Sequence, residues 1–257
     1  MTRQDTILAT GLGAPAPAPS ALRRARWLVY QYALDLTLFL PQLWIRRTRG
    51  GRQRFFDPSE FSWVAELEAA YPEILAEYRR ISGQRLPSYQ DIEEVNTQIN
   101  TDDQWKTYFL HYYGYAIAKA ERECPATLAA LRRIPGLQFA MFSILSPGKH
   151  IPAHKGPYAG VIRYHLGVDV PEGCVLRIDA ERRSWENGKS LVFDDSYEHE
   201  VWNHSAKPRC VLFVDVERPL PGLLGKLNRW LLAQSASTQI AKDSAKNLRI
   251  WEQTAQP

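Results

Sequence analysis

Two histidines and two arginines between residues 154 and 209 carry most of the chemistry this sequence could perform. His154 follows an apolar stretch, in a loop within His150-Ile151-Pro152-Ala153-His154, and His199 opens the strand His199-Glu200-Val201-Trp202. Imidazoles arriving from two distant segments are suited to a divalent metal such as Fe(II). In Ile162-Arg163-Tyr164-His165-Leu166, polar and bulky apolar residues alternate, which predicts a strand with Arg163 and His165 on one face. Arg209 then begins the apolar run Cys210-Val211-Leu212-Phe213-Val214. Cations on the inner face of a β-domain are costly unless they meet an anion. Guanidinium stays charged and matches planar carboxylates, so a dicarboxylate ligand fits Arg163 and Arg209. The acids Asp194, Asp195 and Asp215 fit them equally well. A non-haem iron site normally adds a carboxylate two residues after its first histidine, and that position is Gly156. The residues alone therefore leave two readings: a two-histidine metal site, or an anion-binding barrel with structural histidines.

Such side chains need a rigid frame. Short apolar runs at 137–145, 160–168, 174–179, 190–193, 199–203 and 209–216, punctuated by Pro, Gly and Asp, predict a barrel or double-sheet jelly roll. Upstream, residues 55–135 read as a mostly helical flank. Asp57-Pro58-Ser59-Glu60 is a helix-start signal, and Trp63, Leu67, Ala70 and Ile74 share one helical face. A second short helix is expected after Pro125, and the aromatic cluster Tyr108–Ala116 reads as core packing. After Pro221 the apolar residues Leu223, Leu224, Leu227, Trp230 and Leu231 alternate with Lys226 and Arg229, as in a helix on a membrane surface or on the barrel. From about Gln234 the tail shows no pattern. The fold class is α+β, with a catalytic core at 136–218 and a C-terminal helix and tail at 219–257.

The chain has 257 residues, 45% hydrophobic and 23% charged, which suits a globular domain with appendages. A net charge of +4 is too mild to argue for nucleic acid, and three widely spaced cysteines suggest a reducing compartment. The charge is unevenly placed. Residues 1–20 read as a flexible Pro/Ala leader without a secretory cleavage pattern. Residues 21–54 are rich in arginine, Asp35 is their one acid, and Trp27–Ile45 is almost wholly apolar. As a helix this stretch would set Trp27 and Trp44 about 25 Å apart. Three readings stay open: a membrane-inserted anchor, an interfacial helix, or a core helix.

Several blocks in register resemble the aspartyl/asparaginyl β-hydroxylase family. They are Phe142–Pro157, Ile162–Gly167, Trp185-Glu186-Asn187-Gly188-Lys189 and Phe193–Trp202, continuing through Arg209 to Asp215-Val216. The resemblance implies a double-stranded β-helix (jelly-roll, cupin-like) dioxygenase that uses Fe(II), 2-oxoglutarate and O2. It implies iron held by two histidines without a carboxylate, which removes the objection raised by Gly156. Carried over by position, His154 and His199 would be the metal ligands and catalytic residues. Arg209 and Ser143 would hold the distal carboxylate of 2-oxoglutarate, and Arg163 with His165 the carboxylate nearer the metal. Asp194 and Asp195 read as turn residues that orient a histidine.

The apolar, arginine-fringed segment and the blocks His150-Ile151-Pro152 and Gly156-Pro157-Tyr158 look like the bacterial lipid A 2-hydroxylase branch. That implies a membrane lipid substrate, lipid A or an ornithine lipid, and an anionic membrane surface as partner. It also implies the cytoplasmic side of a bacterial inner membrane. A peptidyl aspartyl/asparaginyl hydroxylase is the alternative. A non-catalytic anion-binding barrel or membrane scaffold is a remote one. The oligomeric state has no signal in the sequence.

Overall fold

The structure is a computed structural model that describes residues 38–48, 50–93 and 102–254. Most of the apolar segment 27–45, with its three alternative readings, lies outside the described residues. Residues 38–45 are helical, and among the described residues no helix is long and apolar enough to cross a membrane.

From residue 41 onward the chain is built around ten strands: β1 (Phe55–Phe56), β2 (Trp105–Tyr112), β3 (Leu137–Leu145), β4 (His150–His154), β5 (Val161–Asp169), β6 (Cys174–Ile178), β7 (Glu181–Arg183), β8 (Ser190–Phe193), β9 (His199–Asn203) and β10 (Arg209–Glu217). They form a larger sheet of order β1-β8-β5-β10-β3-β2 and a smaller one of order β4-β9-β6-β7. All pairings are antiparallel. From β3 to β10 the chain changes sheet at every connection except the tight β6–β7 hairpin, where Asp179 takes a φ of 48°. That winding is a double-stranded β-helix, or jelly roll.

Helices flank the larger sheet. They are α1 (Val64–Ala69), α2 (Tyr71–Ile81), α3 (Tyr89–Ile92), α4 (Ala118–Glu123), α5 (Pro125–Leu131), α6 (Gly222–Ser235) and α7 (Gln239–Thr254). Asp57 and Glu60 form the expected capping box, on a short 3-10 turn ahead of α1. The long apolar face predicted from Trp63 to Ile74 is split at Ala70, where Pro72 in the first turn of α2 starts a new helix. Trp63 meets Tyr164 edge-on at 5.1 Å and Tyr78 meets Phe142 at 5.6 Å, which ties the α1–α2 layer to β5 and β3. Outer-face residues Ile162, Tyr164 and Leu166 are thereby buried, and the opposite face of β5 looks into the barrel.

Three expectations change. The region 55–135 is not uniformly helical, because Trp105–Tyr112 is an edge strand beside β3. Aromatic and β-branched residues there fill both faces, so period-two alternation is lost while β preference remains. His154 ends strand β4 and is not in a loop; Pro152 within that strand hides its character from pattern reading. The tail after Gln234 contains α7, which buries Ala241, Ala245, Leu248 and Trp251, with Trp251 edge-on to Tyr108 at 5.3 Å.

Candidate functional site

β4 and β9 pair in the smaller sheet so that His154 and His199 are direct cross-strand partners. Their ring centroids lie 4.1 Å apart. Nδ1 of His154 is 2.8 Å from the Pro152 carbonyl, and Nδ1 of His199 is 3.0 Å from the Tyr197 carbonyl. A carbonyl can only accept, so each Nδ1 carries the proton and each Nε2 keeps its lone pair. Burial lowers the pKa of both imidazoles, that of His199 to about 3, helped by the neighbouring His154 and Arg163. Both rings are thus neutral and in the tautomer that a metal ligand requires. Among the described residues no group of three or more His, Cys, Asp or Glu could share a metal, and the pair offers two imidazole donors.

Gly156 explains the missing carboxylate locally. A Cβ there would collide with the Asp195 carboxylate, and the Gly156 amide donates to the Asp195 carbonyl at 2.8 Å. The Asp195 carboxylate therefore fills the space a side chain at 156 would need. It is held by Arg163 at 2.9 Å, and Arg163 also makes a two-pronged pair with Asp215 through Nε (2.8 Å) and Nη2 (2.9 Å). Burial, opposed by Arg163 and reinforced by Asp215 and Asp194, lifts the Asp195 carboxyl to about 7. For Arg163 burial works against charge, but Asp195 and Asp215 outweigh it and raise its pKa. Of the two partners left open for this arginine, its own acids are present. The contacts engage Nε and Nη2, and Nη1 is the corner left for a ligand.

Arg209 has a different environment. It is 1% exposed, its Nε has no partner, and no carboxylate forms an ion pair with it among the described residues. Its Cζ lies 4.6 Å over the ring of Trp185, and Nη1 is 3.5 Å from the Ser143 carbonyl. Desolvation lowers its pKa to about 10. Ser143 Oγ accepts from the Trp105 indole at 3.0 Å, which leaves its hydroxyl hydrogen free to donate. His165 lies between the two arginines along the barrel interior, across from Phe213. Its Nδ1 accepts from the Trp185 indole at 3.2 Å, so its proton sits on Nε2, a buried atom without a partner. Burial, then Arg209, Arg163 and His199, hold this ring far below the ordinary imidazole pKa.

The structure thus brings all six sequence-predicted residues to one barrel interior. Two orphaned buried donors, Arg209 Nε and His165 Nε2, need an acceptor, and a keto-diacid beside a metal would meet both. The residues present fit iron and 2-oxoglutarate. Asp194 and Asp195 do not orient His199 with their carboxylates: Asp195 binds Arg163, while Asp194 accepts from Arg46, Arg218 and the Ser196 amide. The backbone of Tyr197, together with that of Asp195, orients the ring. Sequence reasoning also missed Trp105 and Trp185 as partners of Ser143 and His165. Both contacts join segments remote in sequence, and no local pattern marks them.

Residues 68–219 match a family profile described as aspartyl/asparaginyl beta-hydroxylase. An ornithine lipid ester-linked acyl 2-hydroxylase from Rhizobium tropici is 41% identical over 244 residues, covering 93% of this chain and 84% of that protein. The aspartyl/asparaginyl beta-hydroxylase of Homo sapiens is 35% identical over 151 residues, 56% of this chain but only 19% of that protein. Among solved structures, a Pseudomonas putida prolyl-4-hydroxylase aligns over 60% of this chain and 88% of its own, at 18% identity and a TM-score of 0.39.

Proposed function

The chain belongs to the aspartyl/asparaginyl β-hydroxylase family, and we propose that it is an Fe(II)/2-oxoglutarate-dependent dioxygenase that hydroxylates an acyl chain of a membrane lipid. The observation that carries this reading is the His154–His199 pair, two facing neutral rings with both Nδ1 atoms committed to backbone carbonyls. Their Nε2 atoms would hold the iron. The Arg209 guanidinium and the Ser143 hydroxyl would hold the distal carboxylate of 2-oxoglutarate. His165 Nε2–H and Arg163 Nη1 would meet the carboxylate nearer the metal. When bound, iron and 2-oxoglutarate together supply the oxidising power that places one atom of O2 on a C–H bond and the other in succinate.

The protein's own part is charge and geometry. Arg163, already neutralised by Asp215 and Asp195, adds a directed donor without adding a bare cation. Arg209 is buried away from solvent, where a carboxylate would be held far more strongly than in water. Asp195, packed against the backbone of Gly156 two residues beyond His154, holds Arg163 in place beside the histidine pair.

A lipid substrate is supported by the extent of the similarity. The relative named for ornithine lipid acyl chains matches almost the whole chain, whereas the human relative matches about half of it. An ester-linked acyl chain of an ornithine lipid, or of lipid A, presented at the cytoplasmic face of a bacterial inner membrane is the substrate class proposed. The test is lipid mass spectrometry after expression in a bacterium that makes these lipids. One added oxygen on an acyl chain is expected with the wild type and none with His154→Ala. Folded, iron-loaded protein that consumes 2-oxoglutarate yet leaves every lipid unmodified would refute the substrate class.

A further inference from the structure

The turn that leads into His199 is clamped from one side by Arg46 and Arg54. Arg46 donates to Asp194 Oδ2 at 2.9 Å and to Ser196 Oγ at 2.5 Å, and its Cζ lies 4.0 Å over the ring of Tyr197. Arg54 approaches the same ring at 5.0 Å, and its carbonyl accepts from the Asp194 amide at 2.9 Å. Tyr197 is the residue whose carbonyl fixes the His199 ring. A single arginine side chain therefore reaches from the 41–47 segment to within one residue of the atom that sets His199's orientation.

That segment has a second property. Pro41 and Ile45 face inward, whereas Trp44 is 55% exposed and Leu43 and Arg47 also face out. Helix α6 repeats the pattern, with Leu223 82% and Trp230 60% exposed beside exposed Lys226 and Arg229. Both elements grip one short loop. Gln42 accepts from the Ala159 amide at 3.3 Å, and Asn228 donates to the Gly160 carbonyl at 2.9 Å. Exposed tryptophan and leucine set among arginine and lysine match the interface of an anionic bilayer, where aromatic rings sit at headgroup depth and cations meet lipid phosphate.

We propose that residues 41–47 and α6 form a docking face for an anionic lipid bilayer, and that Arg46 transmits docking to the metal-binding geometry of His199. Arg46 is a positioning residue: it acts through Asp194, Ser196 and Tyr197 and touches no reactant. The proposal rests on the reading of His154 and His199 as metal ligands, and it adds a surface and a route of coupling to that reading.

The test titrates Co(II) into the full chain by visible absorption, with and without phosphatidylglycerol vesicles that contain neither ornithine lipid nor lipid A. Wild-type protein is expected to sediment with these vesicles and to bind Co(II) roughly fivefold more tightly when docked. The double variant Trp44→Ala/Trp230→Ala should keep its affinity for Co(II) in solution while losing both sedimentation and tightening. Arg46→Lys retains the charge but not the planar fork. It should still sediment, bind Co(II) roughly tenfold more weakly in solution and gain nothing from vesicles. An Arg46→Lys variant that matches wild type in both titrations, or wild-type protein that docks without any change in Co(II) affinity, overturns the coupling. Wild-type protein that stays in the supernatant overturns the docking face. Circular dichroism confirms that each variant is folded. Failure of the ligand assignment itself looks different: Co(II) binding would then be unaffected by His154→Ala.

Discussion

Arg163 and Arg209 are both buried in the same barrel, yet they are opposite electrostatic cases. Arg163 has two carboxylates on it and is charge-paired by the protein itself, with Nη1 alone left to a ligand. Arg209 has an indole below it, a distant carbonyl and an unpartnered Nε. A buried guanidinium with partners contributes to folding; one without partners opposes it until an anion arrives. The contrast separates the part of the site that holds itself together from the part that waits for a cosubstrate.

The contrast can be broken most forcefully at Arg163. Arg163→Met leaves Asp195 and Asp215 buried without a counter-charge, and an unfolding midpoint in urea is expected to register a loss of about 3–5 kcal/mol. Arg209→Met should do the reverse. The ligand-free fold is expected to become more stable, while the stabilisation of about 2.7 kcal/mol that 2-oxoglutarate gives Co(II)-loaded wild type at a hundred times its Kd should vanish. Equal destabilisation by both substitutions would erase the distinction. Gly156→Ala pushes into the Asp195 carboxylate on the Arg163 side, with an expected cost of about 2 kcal/mol. Per pH unit and per group, the smallest effect is the pH dependence of the metal-free fold. Burial holds His165 and His199 below their unfolded pKa, so the folded state binds fewer protons than the unfolded one. Their contribution is whole above about pH 6.5 and is lost as the pH falls below it. Each adds a slope of up to about 1.4 kcal/mol per pH unit, and His165→Asn should flatten the curve measured by urea titration.

Much of the barrel is legible in the residues because its strands are short, apolar and separated by breakers. The strands that escape are those whose sequence breaks the pattern. Glu181–Arg183 is wholly exposed, β4 carries Pro152, and β2 is aromatic on both faces. Helix α7 escapes because Ala241, Ser244 and Ala245 make a buried stripe too small in side chain to read as apolar. At the site, alternation places Arg163 and His165 on one face, and the structure agrees. Which arginine is paired with Asp215 and which is left bare depends on cross-strand register, a property of the assembled sheet. The tautomers of His154 and His199 are set locally, by carbonyls two residues back in the chain, whereas that of His165 is set by a tertiary neighbour, the Trp185 indole.

The two indoles in the pocket have a practical consequence. Trp185 lies under the bare guanidinium and Trp105 is bonded to the serine hydroxyl next to it, so both rings sense the field at that point. Arrival of a dianion reverses the local potential seen by both chromophores. Intrinsic emission should therefore report cosubstrate occupancy directly, without label or turnover.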